Sequence, residues 1–274
     1  MQKAIVVFFM LSFSLLYIHA DDFSVVGHPY DPSLKVVGDK AFFTAGIDES
    51  FVETESAYSY EVRDGLKYIH LLEPTNKTFL LLESKEFSVL INDRNFKETF
   101  GINTIYKSPK IRTWGIFEGC LIYQPRIIDA SSFLTEGEIE YRPENLRSQS
   151  GGNPWVEGAA GNGIGQTITF EKNVGHVDIH SLIISIGYVD FNKPYLYSYN
   201  SRPKEIRLWF DEKTKFYDIE LADTPNPQII HLPPFEEERI TLEIIDVYPG
   251  TKWEDTCINF LLTVAEMKEY FNFN

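Results

Sequence analysis

The stretch Asn200-Ser201-Arg202-Pro203-Lys204-Glu205-Ile206-Arg207-Leu208-Trp209-Phe210 sets Ile206, Leu208 and Phe210 in alternation with Glu205, Arg207 and Asp211. A period of two is that of a strand with one face buried and one face wet. Just before it, Pro203 fixes its own backbone angle and biases Arg202 toward extended geometry, so Arg202 and Lys204 are presented from a stiff turn. A stiff loop feeding a sheet suits ligand recognition, because groups held in place beforehand lose little entropy on binding.

The same pattern recurs along the chain. Aromatic residues make up 15% of it, and short alternating runs rich in Tyr, Phe and Ile are separated by Gly, Pro, Asn and Asp. The expected class is therefore all-β. At the N-terminus, Lys3 precedes an apolar run from Ala4 to Ile18, and Ile18-His19-Ala20 offers a cleavage site before Asp21-Asp22. Residues 1–20 read as a secretory signal, since the run is shorter than the ~20 residues a spanning helix needs. No later segment reads as a membrane span. The expected location is periplasmic or extracellular.

A net charge of -15 disfavours nucleic acid and anionic lipid as partners and leaves a neutral polar ligand as the simpler expectation. Cys120 and Cys257 are the two cysteines. Two are too few for a disulfide framework or a thiolate metal site, and both are expected to be free thiols rather than a long-range pair.

Two domains are expected. Residues 21–126 form a small β-rich domain of no recognised family, with strands at 35–44, 58–62, 68–72, 78–82, 87–91, 102–106 and 114–123 and a turn at Asp64-Gly65, either all β or with one short helix near 95–100. Residues 127–274 form a second β domain, expected to fold on its own. Its glycines at 158, 161, 163 and 165 have the wrong spacing for a phosphate cradle, and Thr167–Phe170 after them reads as a strand rather than a helix. His176 and His180 lack a third ligand at metal spacing.

An ordered series runs through this second part: Ala130-Ser131-Ser132, Glu144-Asn145-Leu146, Trp155-Val156-Glu157-Gly158, Gly163-Ile164-Gly165, Gly187-Tyr188, Asn200-Ser201-Arg202-Pro203-Lys204, Asp246-Val247-Tyr248-Pro249-Gly250 and Trp253-Glu254-Asp255-Thr256-Cys257. In order and spacing it resembles the NADase-type glycan-binding domain, a discoidin-like, galactose-binding-like module. The resemblance implies a jelly-roll β-sandwich, carbohydrate recognition outside the cytoplasm and no catalysis by the module itself. It covers roughly the last 145 residues. Three departures stand out: Arg147-Ser148-Gln149-Ser150-Gly151-Gly152 where relatives are richer in Asp, Ile186 where Asn is usual, and Ile258-Asn259-Phe260 where Ser-Glu is common. The first leaves too few hard oxygen ligands for a calcium loop, so no cofactor is expected and calcium is doubtful.

The expected site lies where the segments 155–165, 188–204 and 249–255 come together, since irregular loops carry recognition when both sheet faces are committed. Its candidate ligand-binding residues are Trp155, Glu157, Tyr188, Tyr199, Asn200, Arg202 and Trp253, with no catalytic or metal residues. Each has a structural alternative. Trp155 and Trp253 read as core or as stacking rings, Glu157 as an acceptor for sugar hydroxyls or a loop brace, and Arg202 as a ligand donor or a staple to a carboxylate. Tyr188, Tyr197 and Tyr199 suit the apolar side of a pyranose, or shelter the loop that also holds Tyr195. The functional expectation is a non-catalytic carbohydrate-binding protein. The alternatives are a protein-binding adhesion or assembly factor using the same loops, and a glycan-active enzyme.

Overall fold

The computed structural model describes residues 21–24, 33–47, 50–84, 88–92, 104–107, 120–123, 125–147, 152–171, 177–210, 214–235 and 239–267. The signal-like segment, the stretch near 95–100 open to a short helix, residues 114–119 of the strand expected at 114–123, His176 and the loop 148–151 lie outside them. Among the described residues no helix is long and apolar enough to cross a membrane.

Eight antiparallel strands come first: β1 (Asp21–Ser24), β2 (Ser33–Val37), β3 (Lys40–Ile47), β4 (Ser50–Arg63), β5 (Leu66–Leu71), β6 (Lys77–Glu83), β7 (Ser88–Asn92) and β8 (Thr104–Lys107). Each pairs with the next, and Ser24 of β1 lies opposite Tyr106 of β8, so the sheet closes into a barrel. Asp64 and Gly65, both at positive φ, turn β4 into β5 as expected. The single strand expected at 35–44 is instead the hairpin β2–β3. Gly38, at φ 63°, supplies the left-handed conformation that reverses the chain between Val37 and Lys40.

The remaining strands build a two-sheet sandwich. One sheet has the order β10 (Arg126–Ala130), β14 (Thr167–Glu171), β19 (Arg239–Tyr248), β16 (Arg202–Phe210), β17 (Lys215–Glu220). The other has the order β13 (Trp155–Val156), β20 (Cys257–Met267), β15 (Val177–Ile186), β18 (Gln228–His231). A short strand, β9 (Cys120–Tyr123), also pairs with β20, although it precedes the boundary expected at 126. A separate hairpin, β11 (Thr135–Glu136) and β12 (Ile139–Glu140), stands off the sheets. In β16 the side chains of Ile206, Leu208 and Phe210 enter the sandwich core beside Trp155, Phe170, Leu242 and Leu261, as the alternation requires.

The second sheet is buried on both faces, which explains why Leu182-Ile183-Ile184 and Phe260-Leu261-Leu262 do not alternate with polar residues. Leu182, Ile184, Ile258 and Leu261 face the sandwich core, whereas Ile183, Phe260, Leu262 and Val264 meet the barrel. On the barrel side the same rule splits Phe79-Leu80-Leu81-Leu82: Phe79 and Leu81 fill the barrel, and Leu80 and Leu82 press on the sandwich with Leu66, Tyr68, Val89 and Ile91. Tyr68 anchors the seam. Its hydroxyl donates to the Phe191 carbonyl at 2.9 Å, its ring meets Phe191 edge-on, and burial pushes its pKa up to about 12.

Cys257 is buried and free. Cys120 lies opposite Glu266, while Cys257 opens the same strand β20. At ~3.3 Å per residue the two are roughly 30 Å apart, well beyond the ~7 Å that a disulfide spans. Thiol counting on the denatured, unreduced protein should therefore find two thiols; finding none would contradict this register.

Candidate functional site

One end of the sandwich gathers the three segments singled out in the sequence. Ser201 bridges to Thr256, with the Ser201 N–H donating to the Asp255 carbonyl and the Cys257 N–H to that of Ser201, both at 3.0 Å. The N–H groups of Lys252 and Trp253 both donate to the Tyr199 carbonyl, and the Gly250 N–H to the Ser201 hydroxyl. Gly250 is needed for this approach, since a Cβ there would run into the backbone of Trp253, Tyr199 and Asn200. From the third segment, the Thr256 hydroxyl donates to the Asn162 carbonyl at 2.7 Å.

Four of the seven candidates are consumed in building this end. Trp155 is fully buried in the sandwich core, and its indole N–H donates to the Ser132 carbonyl at 3.1 Å. It is a core ring and out of reach of a ligand. Glu157 is also fully buried; its carboxylate accepts the Ala159 N–H at 2.7 Å and the Thr256 N–H at 3.3 Å. Gly163 packs against the Glu157 side chain so closely that a Cβ would collide with it. Glu157 is thus the brace of the glycine loop, and burial raises its pKa against the pull of those two donors.

Asn200 caps the one-turn helix α1 (Leu196–Tyr199) by donating from its side-chain amide to the Leu196 carbonyl at 2.9 Å. Arg202, only 7% exposed, is the staple. Its Nε and Nη2 donate to the two oxygens of Asp223, each at 2.8 Å, and its Nη1 to the carbonyls of Asn200 and Tyr197. The Tyr197 hydroxyl joins the same carboxylate, whose pKa is lowered chiefly by the arginine. With its donors committed, Arg202 shapes the loop rather than offering a hydrogen bond to a ligand.

The other three candidates reach the surface in two places. Tyr188 is half-buried beside Tyr141, ring edge to face at 6.0 Å, and its hydroxyl donates to Asn153. Burial raises its pKa. Tyr199 and Trp253 meet each other at 5.5 Å between ring centroids, and Tyr195 joins Tyr199 at 5.1 Å. Tyr195 and Trp253 are each 37% exposed. Lys252 lays its ammonium 4.3 Å from the Trp253 centroid and 5.3 Å from that of Tyr199. Lys252 was not singled out in the sequence, and Tyr195 was weighed only as shelter; the readable signal was the four-residue spacing of Tyr195 and Tyr199, which one helical turn places side by side.

Residues 122–262 match the family model described as the NAD glycohydrolase translocation F5/8 type C domain. The chain belongs to that family. Its sandwich is accordingly the discoidin-like jelly roll, here preceded by a β-barrel. Among solved structures, the chain is similar to CBM32-3 from a family 31 glycoside hydrolase of Clostridium perfringens, with a TM-score of 0.39 and 12% identity over 52% of this chain and 92% of that one. It is also similar to the family 32 carbohydrate-binding module of Streptococcus pneumoniae EndoD (TM-score 0.38, 13% identity, 53% and 97% covered) and to allantoicase of Saccharomyces cerevisiae (0.33, 12%, 91% and 73%). No curated protein matches the chain in sequence.

The departures from the family pattern have local explanations in two cases. Ile186 packs in the sandwich core, and the Asn259 amide donates to the Ser185 hydroxyl, which in turn donates to the Pro225 carbonyl. Among the described residues no group of three or more His, Cys, Asp or Glu side chains could hold a metal ion.

Proposed function

We propose that this chain is an exported, non-catalytic glycan-binding protein whose site is the aromatic cluster Tyr195, Tyr199 and Trp253. The observation that carries the reading is the exposure of Tyr195 and Trp253 on either side of the half-buried Tyr199, which meets both rings, on a backbone already held by hydrogen bonds between loops. Aromatic faces cover the C–H side of a pyranose, and a prearranged loop spends little entropy on binding. The polar candidates support the same site, because Glu157 and Arg202 are committed to loop structure and leave the aromatic rings as the groups free to meet a ligand. Export rests on the signal-like first twenty residues.

A glycan array on the full chain, with and without calcium, tests this directly, and defined binding separates it from adhesion to a protein. Trp253→Ala and Tyr199→Ala should each weaken the identified glycan by about thirtyfold, corresponding to ~2 kcal/mol at an aromatic anchor. Melting temperatures should stay close to that of the wild type, because both side chains reach solvent. Arg202→Ala should instead lower the melting temperature. If both aromatic variants keep full affinity, the site lies elsewhere.

A further inference from the structure

The aromatic cluster is not a flat platform. Tyr195 and Tyr199 are tilted by 50° and Tyr199 and Trp253 by 68°, so the rings form walls at angles to one another. Walls of this kind suit a compact group better than the broad face of an extended chain. One compact group already sits there: the Lys252 ammonium, within cation–π distance of both Tyr199 and Trp253. The residues that follow, Glu254 and Asp255, add negative charge at the same loop in a chain of net charge -15.

We infer that the cluster is a seat for an ammonium group, and that the glycans it takes carry free amines, as glucosamine oligomers do. This rests on the glycan reading above and narrows it to a ligand class. The Lys252 ammonium marks the place that the sugar's ammonium takes, and it swings out to solvent when the ligand arrives. An exposed cation–π contact is weak enough for this exchange.

The test is titration calorimetry of the full chain with a glucosamine tetramer, the fully N-acetylated tetramer and tetralysine, at a pH where the amines are protonated. The glucosamine tetramer should bind about tenfold more tightly than the acetylated one, and more tightly than tetralysine. Lys252→Met should strengthen glucosamine binding about threefold by vacating the seat, and Trp253→Ala should abolish the preference. Equal binding of both sugars would mean that Lys252 only shields its neighbouring rings, and equal binding of tetralysine that net charge alone attracts; either overturns the inference. If neither tetramer binds while the array identifies other glycans, the amine class is wrong and the glycan reading stands. If no glycan binds at all, both fall.

Discussion

A chain shortened to residues 127–274 is expected to associate or lose its fold, although the sandwich has its own core. The reason is the outer face of its second sheet, where Ile183, Phe260, Leu262 and Val264, with Val189 from the following loop, are buried against the barrel. Each such side chain is worth ~1.5–3 kcal/mol when buried, so exposing five costs on the order of 10 kcal/mol, comparable with the whole stability of a typical domain. Shortening also removes β9, leaving bare the edge of β20 that it covers. Size-exclusion chromatography and a thermal melt of the shortened chain against the full one provide the check. A monomer melting cooperatively within a few degrees of the full chain would show that the seam contributes little.

That seam also marks where sequence reading ran out. Alternation in Ile206, Leu208 and Phe210 is one-sided, so it could be read as a half-buried strand without knowing what lay across from it. The run Phe79-Leu80-Leu81-Leu82 has no alternation, because both of its faces are buried, and its division between barrel and seam depends on a partner about a hundred residues away. The turn at Gly38 is hidden in the sequence because Val36, Val37, Ala41 and Phe42 on either side read as one strand. Barrel closure was likewise out of reach, since it depends on strands far apart in sequence meeting edge to edge, as β1 and β8 do.

In the candidate site the loops were legible and the division of labour was not. Gly, Pro and Tyr mark where the chain is irregular, so the three segments could be picked out. Whether Trp155, Glu157 or Arg202 faced a ligand or the protein depended on Ser132, Thr256 and Asp223, which lie between about twenty and a hundred residues away. Residue type alone does not decide it: a carboxylate or a guanidinium that can bind a sugar can equally well satisfy a loop. Trp253 and Tyr199 are left for the surface because the backbone around them is already satisfied.

Glu157→Ala is expected to destabilise the protein by about 2–5 kcal/mol, since it orphans two backbone donors and opens a void beneath Gly163. Glu157→Gln tests the carboxylate itself: one arm of the amide would turn N–H groups toward a backbone N–H, so this variant should also be less stable than the wild type. Its pH dependence has a definite sign. The folded pKa of Glu157 is raised above its unfolded value by burial, so the group's contribution is fully present below the unfolded pKa, ~4.3, and declines as pH rises through the folded pKa. Asp223, whose pKa is lowered, contributes in the opposite direction but does so in wild type and variant alike. The difference between wild type and Glu157→Gln should therefore be larger near pH 4 than near pH 7.5. Urea unfolding of both proteins at the two pH values measures it. A difference that grows with pH would mean that the ionised carboxylate is the preferred form in the fold, with its two backbone N–H donors outweighing the cost of burial.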